Sequence, residues 1–581
     1  MNKKISFPDF INFQRESFYN FLNKGFISQF EKRKKIKSRK KNIELIFYPE
    51  KYKIKLSEFS TKKSILFGKS YTGKIFIPIQ FVNKKKKIIK IQWVLLGNIP
   101  LMTKRGHFIL NGAPRIIISQ IIRNPGIYFY EINRKKPVYY ADFICYRGTW
   151  LRLEIDKKSK IWVKMKKIKK FSIFILLQSL GLSQKDIYRN IDDWEILHES
   201  LLEDHHPTNT KEALSKLYET IQTERMSILK HLLNILHGRY IKPGYKFLFR
   251  KLLNPKNYDL SISGRFFLNK KLELSVSEKK RTLTPEDILI GTNKLLQLTN
   301  GIGQADDIDS LKNRRIRPSG EILENQIFLG LTRLEKFIRE RYRKNRKKLS
   351  VKKLISTKPI NGALREFFGS SQLSQFMDQT NPLSELTHKR RVTSIGPNGV
   401  SRETAGMAIR GIHSTHYGRI CPIETPEGKN AGLVNSITTL AKINSFGFVE
   451  TPLYKVHKGQ IQRNLNHMYF LPDVEENLFI APPDLKRTNL CFLPEKNILS
   501  RLGKNFKEIF SKKLDYILIF PIQLISIATS IIPFMEHDDG NRALMGSNMQ
   551  RQAVPLMEKE RAFVRTGLES RIISEDRKSV G

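Results

Sequence analysis

Cysteine is nearly absent. The chain holds three, Cys145, Cys421 and Cys491, far apart and without a CxxC among them. That excludes a disulfide framework and a cysteine-ligated zinc ribbon, and a reducing compartment fits best. Acidic residues are also scarce: 54 Asp and Glu stand against 104 Lys and Arg, a formal net charge of +50. A solvated surface needs no such excess, so it points to a polyanion, either nucleic acid or an anionic membrane. An AT-rich coding sequence inflates lysine too, so charge alone does not decide. Long apolar runs are missing. The most membrane-like stretch, Leu514–Met535, is interrupted by Asp515, Pro521, Gln523, Ser526 and Pro533. A buried strand near Tyr516–Phe520 and a buried helix near Gln523–Ser530 are expected there, not a membrane span. No amphipathic basic helix suits a membrane surface. The opening MNKKISFPDF lacks an apolar signal core, and Asp9 argues against a transit peptide.

Nucleotide fingerprints fail. Gly68-Lys69-Ser70 resembles the end of a P-loop, but Lys63 occupies the position of its first glycine. Gly301-Ile302-Gly303 has no third glycine. His198, Glu203, Asp204, His205 and His206 share no ligand spacing and read as a surface loop. Glu536-His537-Asp538-Asp539 offers adjacent carboxylates for Mg²⁺, but Gly540-Asn541 follows at once, which makes Asp538 or Asp539 a helix cap.

What is present is patterned. At 581 residues several domains are expected, because single cores stop growing at roughly 250–300 residues. Phe10, Phe13, Phe18, Phe21 and Leu22 keep near-helical spacing. The basic run Lys32–Lys41 reads as a solvated loop, with a DNA contact as the alternative. Strands are expected at Lys74–Ile79, Ile88–Leu96, Asp142–Tyr146, Arg152–Ile155 and Ile161–Met165. Ser183 with Asp186, and Thr284 with Pro285 and Asp287, spell helix starts with capping boxes. Leu323, Ile327, Leu331, Leu334 and Ile338 lie on one helical face. Beyond Asn435 a helix and then a strand are expected, and Lys458–Lys512 is poorly patterned. The class is α+β and multidomain.

The stretch from Gly369 to Asn435 is wrong for a plain core. It is polar, with Gln372, Gln375, Asp378, His388, Lys389, Arg390, Arg391, Arg402, Arg410 and Arg419, and punctuated at Gly396-Pro397-Asn398-Gly399 and from Pro422 to Gly428. Cations and amides suit a polyanion, since Arg and Lys meet phosphates while Gln and Asn bond bases or sugar hydroxyls. NPLSELTHKRR, THYGRICPIETPEGKNAGLVNS and EHDDGNRALMGSNMQRQAVP closely resemble the β subunit of multisubunit, DNA-dependent RNA polymerases. The resemblance runs from about Phe7 to about Gly567, and the spelling is similar to that of plastid-encoded β subunits.

That resemblance implies a layout: 1–112 the first part of the protrusion, 113–304 the lobe, 305–368 return helices, 369–450 the fork and RNA-channel core. Residues 451–512 would be a reduced external domain, and 513–581 a core segment beside the active centre. It implies an RNA-channel wall of Gln372, Gln375, Asp378, His388, Arg391, Thr393, Arg402 and Asn430, with the Lys389–Arg391 cluster meeting phosphate. It implies a fork loop at Gly396, Pro397, Asn398 and Gly399, where Asn398 departs from the family's Gly, while in the wall Thr393 departs from its Ser. Arg542 would meet the triphosphate of the incoming nucleotide, and Gln550, Arg551 and Gln552 would continue the segment. Mg²⁺ would be held by the β′ subunit, with none bound by this chain. Motifs of the family's second half do not occur, so an amino-terminal β polypeptide from a split gene is expected. Its partners would be a carboxy-terminal β polypeptide, β′ and β″-type subunits, an α dimer, a sigma factor, DNA, nascent RNA and ribonucleoside triphosphates, in the plastid stroma. A non-catalytic, nucleic-acid-binding orphan fragment is the alternative.

Overall fold

The computed structural model describes residues 8–38, 43–83, 87–132, 138–156, 160–166, 168–192, 207, 209–222, 241–344, 351–462, 467–486, 488, 491–558 and 560–578. They divide into two units, Arg123–Ile308 on the one hand and Met1–Ile122 with Asp309–Gly581 on the other. Each mixes helices with sheets, in keeping with the α+β class.

In Arg123–Ile308 the strands pair antiparallel in the order Phe171–Ser172, Ile161–Met165, Leu151–Ile155, Val138–Ile144, Gly126–Ile132. Period-two alternation buries Leu151, Leu153, Val163 and Met165 on one face. Both expected capping boxes form. The Ser183 hydroxyl accepts from the Asp186 amide at 3.2 Å, and Asp186 accepts from the Ser183 amide at 3.1 Å. Thr284 and Asp287 repeat the arrangement at 3.2 and 2.7 Å, ahead of the helix Pro285–Thr299. Asp287 has a second task that spacing does not reveal. It accepts from the fully buried Arg265 guanidinium at 2.8 and 2.9 Å.

In the other unit the longest helix, α1 (Ser319–Lys344), buries Leu323, Ile327, Leu331, Leu334 and Ile338 as its periodicity requires. They share a core with Phe18, Phe21, Phe26 and Phe30 of the helical segment Asn12–Glu31, which bulges through a π turn at Phe21–Gly25. Gly320 lets the two backbones touch, since a Cβ there would lie 2.1 Å from the Ser17 carbonyl oxygen. Strands Thr72–Asn83 and Ile88–Pro100 contain the two expected segments and extend beyond them.

Three expectations fail. Within the described part of the basic run, Lys35–Ser38 is a strand paired with Ile43–Phe47. Ile36 is buried, Lys35 meets Glu44 at 2.8 Å, and buried Arg33 meets Glu335 at 3.1 Å and lies over the Phe328 ring. Cross-strand and cross-helix carboxylates take up part of the charge that composition reads as free, so this part is not a plain solvated loop. Residues 39–41 of that run, and His198, Glu203, Asp204, His205 and His206, lie outside the described residues. The segment 436–448, directly after Asn435, forms no helix. The Thr438 and Thr439 hydroxyls donate to the carbonyls of Gly418 and Ile522 at 2.9 and 2.8 Å, and these side chain to backbone bonds displace helix. The helix near Gln523–Ser530 shrinks to the short turns Pro521–Leu524 and Ile527–Ser530. There the buried Gln523 amide bonds the Thr451 hydroxyl, the Pro452 carbonyl and the Ile519 amide instead.

The stretch 451–512, expected to be a reduced external domain, contributes to a sheet that includes Val449–His457, Tyr516–Leu518, Ile480–Ala481, Asn497–Leu502 and Asn505–Phe510, in that order. Val456, Ile461, Ala481, Leu493, Ile498, Leu514 and Ile517 form its core. Among the described residues no helix is long and apolar enough to cross a membrane.

Candidate nucleic-acid interface

Two small sheets carry the polar stretch. Strand β1 (Ala113–Ile117) pairs with β4 (Ser374–Phe376), bringing Gln375 opposite Ile116. Strands β2 (Ser119–Arg123), β3 (Arg314–Arg317), β5 (Arg391–Thr393) and β6 (Val434–Ser436) form the second sheet, in the order β3-β2-β5-β6. Helix α2 (Pro382–Arg390) runs directly into β5. Its start is built from Asn381, whose side-chain oxygen accepts from the Ser384 amide at 2.7 Å, with Pro382 at the first helical position.

The cations at the end of α2 do not face outward together. Arg390 is buried and donates to the carbonyls of Phe10 and Thr438. Lys389 is buried, with its ammonium 3.7 Å from the Glu385 carboxylate. His388 is buried too. Its Nδ1 accepts from the Asp378 amide at 3.1 Å, and its Nε2 lies 3.2 Å from the Gln375 side-chain oxygen. Burial, then the nearby Arg391 charge, pushes this imidazole down to about 4, so it is neutral at pH 7. A neutral ring that accepts at Nδ1 must carry its proton on Nε2, where it donates to Gln375. The expectation that Lys389–Arg391 acts as one phosphate-binding cluster is therefore corrected. The chain turns at Arg391, and of the three only Arg391 lines the pocket.

Arg410 and Arg419 likewise serve the backbone. Arg410 donates to the carbonyls of Lys429 and Ala431 at 2.8 and 3.0 Å, and so holds the Pro422–Gly432 loop. Arg419 is wholly buried, bonded to the Val449 and Phe470 carbonyls and to the Glu475 carboxylate.

What remains forms a pocket. Gln372, Gln375, Arg391, Thr393, Arg402 and Asn430 line a single cavity of about 300 Å³. Gln372, Gln375 and Arg402 are exposed, while Thr393 is buried with its hydroxyl accepting from the Ile395 amide. The Asn430 side-chain oxygen is buried without a hydrogen-bond partner, an acceptor free for a ligand hydroxyl or amine. Six of the eight expected wall residues meet here. His388 stands behind, orienting Gln375, and Asp378 lies in the adjoining cleft.

That cleft, of about 640 Å³, is lined by Asp378, Pro426, Glu427, Arg542, Asn548 and Arg551, among others, and shares Pro426 with the first pocket. Arg542 sits in the first turn of helix α3 (Gly540–Arg551), which Asp539 caps by accepting from the Asn541 amide at 3.3 Å. Arg542 is exposed and makes no ion pair with Asp538 or Asp539. Burial is the first reason that the Arg391 guanidinium titrates below its ordinary range, and repulsion from Arg551 is the second. Two like charges converging on neighbouring cavities are relieved by an anion. Asp378 supplies part of that relief from within the protein. Burial works to raise its carboxyl, but bonds from the Thr380 hydroxyl and amide at 2.8 and 3.2 Å, with His388 and Arg391 nearby, hold it below the ordinary range.

The fork loop is a tight turn from Ser394 to Val400. Gly399 donates to the Gly396 carbonyl at 2.9 Å, and Asn398 adopts φ +63°, a left-handed conformation that asparagine tolerates. Gln120 of β2 donates to the carbonyls of Ile395 and Pro397 at 3.2 and 3.1 Å, and Arg317 of β3 donates to Gln120 at 2.6 Å. This brace of Gln120 and Arg317 comes from far along the chain, and no local motif announces it.

A family model described as RNA polymerase Rpb2, domain 2, matches residues 123–317, and one described as RNA polymerase Rpb2, domain 3, matches residues 375–443. The chain is 43% identical over 675 residues to the DNA-directed RNA polymerase subunit beta N-terminal section of Chlamydomonas reinhardtii, covering 98% of this chain and 82% of that protein. It is 42% identical to the N-terminal section from Stigeoclonium helveticum, covering 99% and 95%. With the DNA-directed RNA polymerase subunit beta of Oltmannsiellopsis viridis identity is 49%, over 98% of this chain and 44% of that subunit. The chain therefore spans less than half of that undivided relative and most of the two N-terminal sections.

Proposed function

The chain belongs to the β-subunit family of DNA-directed RNA polymerases, and from that premise we propose that it supplies one wall of the transcript path in an assembled polymerase. The convergence of Gln372, Gln375, Arg391, Thr393, Arg402 and Asn430 on one cavity carries this reading. A polar pocket with charge at Arg391 and Arg402 suits the sugar-phosphate backbone of RNA, with the amides for hydroxyls and base edges. Arg542, exposed in the adjoining cleft and without an ion-pair partner among the described residues, suits the triphosphate of the next nucleotide, where a guanidinium fork matches phosphate oxygens. The reaction is template-directed nucleotidyl transfer, to which this chain contributes positioning and charge. Mg²⁺, and the acids that hold it, would belong to β′.

The remaining partners follow from the same reading: a carboxy-terminal β polypeptide, β″, an α dimer, a sigma factor and template DNA. Relatives in green algae favour the plastid stroma as the compartment. Reconstitution tests the proposal. RNA synthesis from template and ribonucleoside triphosphates should require this chain together with the other subunits. Synthesis by this chain alone, or undiminished synthesis when it is left out, would refute the proposal.

A further inference from the structure

Asn381 is more than the cap of α2. While its side-chain oxygen accepts from the Ser384 amide, its side-chain nitrogen faces the far end of another helix. That nitrogen donates to the carbonyls of Gln550, Arg551 and Ala553 at 3.0, 3.1 and 2.9 Å. These carbonyls close α3, and the last turn of a helix leaves its carbonyls without intrahelical donors. One amide thus caps the start of one helix and the finish of another, with its acceptor and its donor used separately.

Helix α3 has few other fixed points. Among its described residues only Ala543 and Ser547 are buried, and a Cβ at Gly540 would meet open space. Its hydrophobic grip on the body is slight, so the anchor at its end weighs heavily in setting its direction. Arg542 lies nine residues from Arg551, a lever of about 13 Å along the axis. A small tilt at the anchored end moves the guanidinium by a comparable amount. Meanwhile α2 leads straight into Arg391 of the first pocket.

We infer that Asn381 is a positioning residue that ties the transcript wall to the helix carrying Arg542, so that both cations are set in one frame. The functional half of this inference rests on the reading of Arg542 given above.

Asn381→Asp separates the two tasks. A carboxylate still caps α2, where the N-terminal end of the helix favours negative charge. Towards α3 it has no donor and sets a negative oxygen against three carbonyls. Asn381→Ser keeps a cap without the charge and also loses the reach to α3. In the full chain, amide hydrogen exchange over residues 543–552 should quicken in both variants, with exchange in α2 unchanged. In the assembled enzyme the apparent nucleotide KM should rise about threefold to tenfold, as expected when a charged hydrogen bond is misaligned, with retention of short transcripts nearly unchanged. Unchanged exchange in α3 would overturn the inference. So would a loss of transcript retention equal to the rise in KM, which marks a general structural fault. Arg542→Ala is the control. If it raises KM and Asn381→Asp does not, the coupling is refuted. If Arg542→Ala itself leaves KM unchanged, what fails is the reading of Arg542.

Discussion

Arg390 and Arg391 are neighbours in sequence and opposites in environment. Arg390 turns inward and spends its guanidinium on the Phe10 and Thr438 carbonyls, whereas Arg391 turns into a cavity shared with Gln372, Gln375, Arg402 and Asn430. The same division runs through the whole polar stretch. Lys389, His388, Arg410 and Arg419 form an inner layer bonded to protein groups, and the pocket residues form an outer layer. A recognition surface made of loops has few backbone ladders of its own, so side chains from within must satisfy the carbonyls that the loops leave open. The inner layer makes the wall, and the outer layer uses it.

Substitutions in the two layers should therefore fail differently. The largest effect is expected at Arg390. Arg390→Ala strips two buried carbonyls of a charged donor, each bond being worth about 1.5–3 kcal/mol, so stability should fall by about 3 kcal/mol or more. Urea unfolding of the full chain measures this. A loss no larger than that of an exposed arginine would erase the boundary between the layers.

Arg542 comes next, and its effect should be on function alone. Arg542→Ala should raise the apparent nucleotide KM of the assembled enzyme by about tenfold to a hundredfold, the equivalent of about 1.5–3 kcal/mol for a bond to a charged group. Thermal stability should be unaffected, and Arg542→Lys should restore only part, because an ammonium cannot grip oxygens as a fork. Failed assembly with normal KM in whatever enzyme remains would move Arg542 to the inner layer.

Arg391→Ala should be milder. Retention of short transcripts should fall about threefold to tenfold and by similar factors across sequences, and the log–log salt dependence should flatten by about 0.7. Relief of the Arg551 repulsion should leave stability intact. Strong dependence on one transcript sequence would replace phosphate with base readout.

These assignments divide along a line visible in the sequence itself. Where order is local, the residues announce it: the capping boxes at Ser183 and Thr284, the buried face of α1, and the alternation of Leu151–Ile155 all form as spacing requires. In the wall, order comes from bonds between distant residues. Arg390 to Phe10 spans 380 residues, Arg317 to Gln120 spans 197, and Asn381 to α3 spans about 170. No period or motif encodes such a pair, so the sequence identifies the wall as polar without saying which cations face out. The basic run is hard to read for a related reason: Arg33 meets Glu335 from far along the chain, and Lys35 meets Glu44 only across the paired strand.

His388 offers the finest test, because protonation alone switches its layer. In the folded chain the ring titrates at about 4, against an ordinary histidine value of 6.5. Between those values the unfolded chain binds a proton that the folded chain refuses. Stability from this group is therefore fully present above pH 6.5 and is lost as pH falls toward 4. Between pH 7 and pH 6 the loss should be less than about 1 kcal/mol, and it steepens below, to at most about 1.4 kcal/mol per pH unit. His107 and His416 are pushed to about 4 by burial as well, so the wild-type slope sums several groups. The difference between wild type and His388→Gln isolates one of them. Glutamine cannot be protonated, so the variant should be less stable than wild type at pH 7.5 and should lose less on acidification to pH 5. A charged imidazole still donates to Gln375 but cannot accept from the Asp378 amide, so acid should release Asp378 alone from its place at the second cavity. Parallel pH profiles for wild type and variant would mean that His388 is already open to solvent, and that the inner layer ends at Lys389.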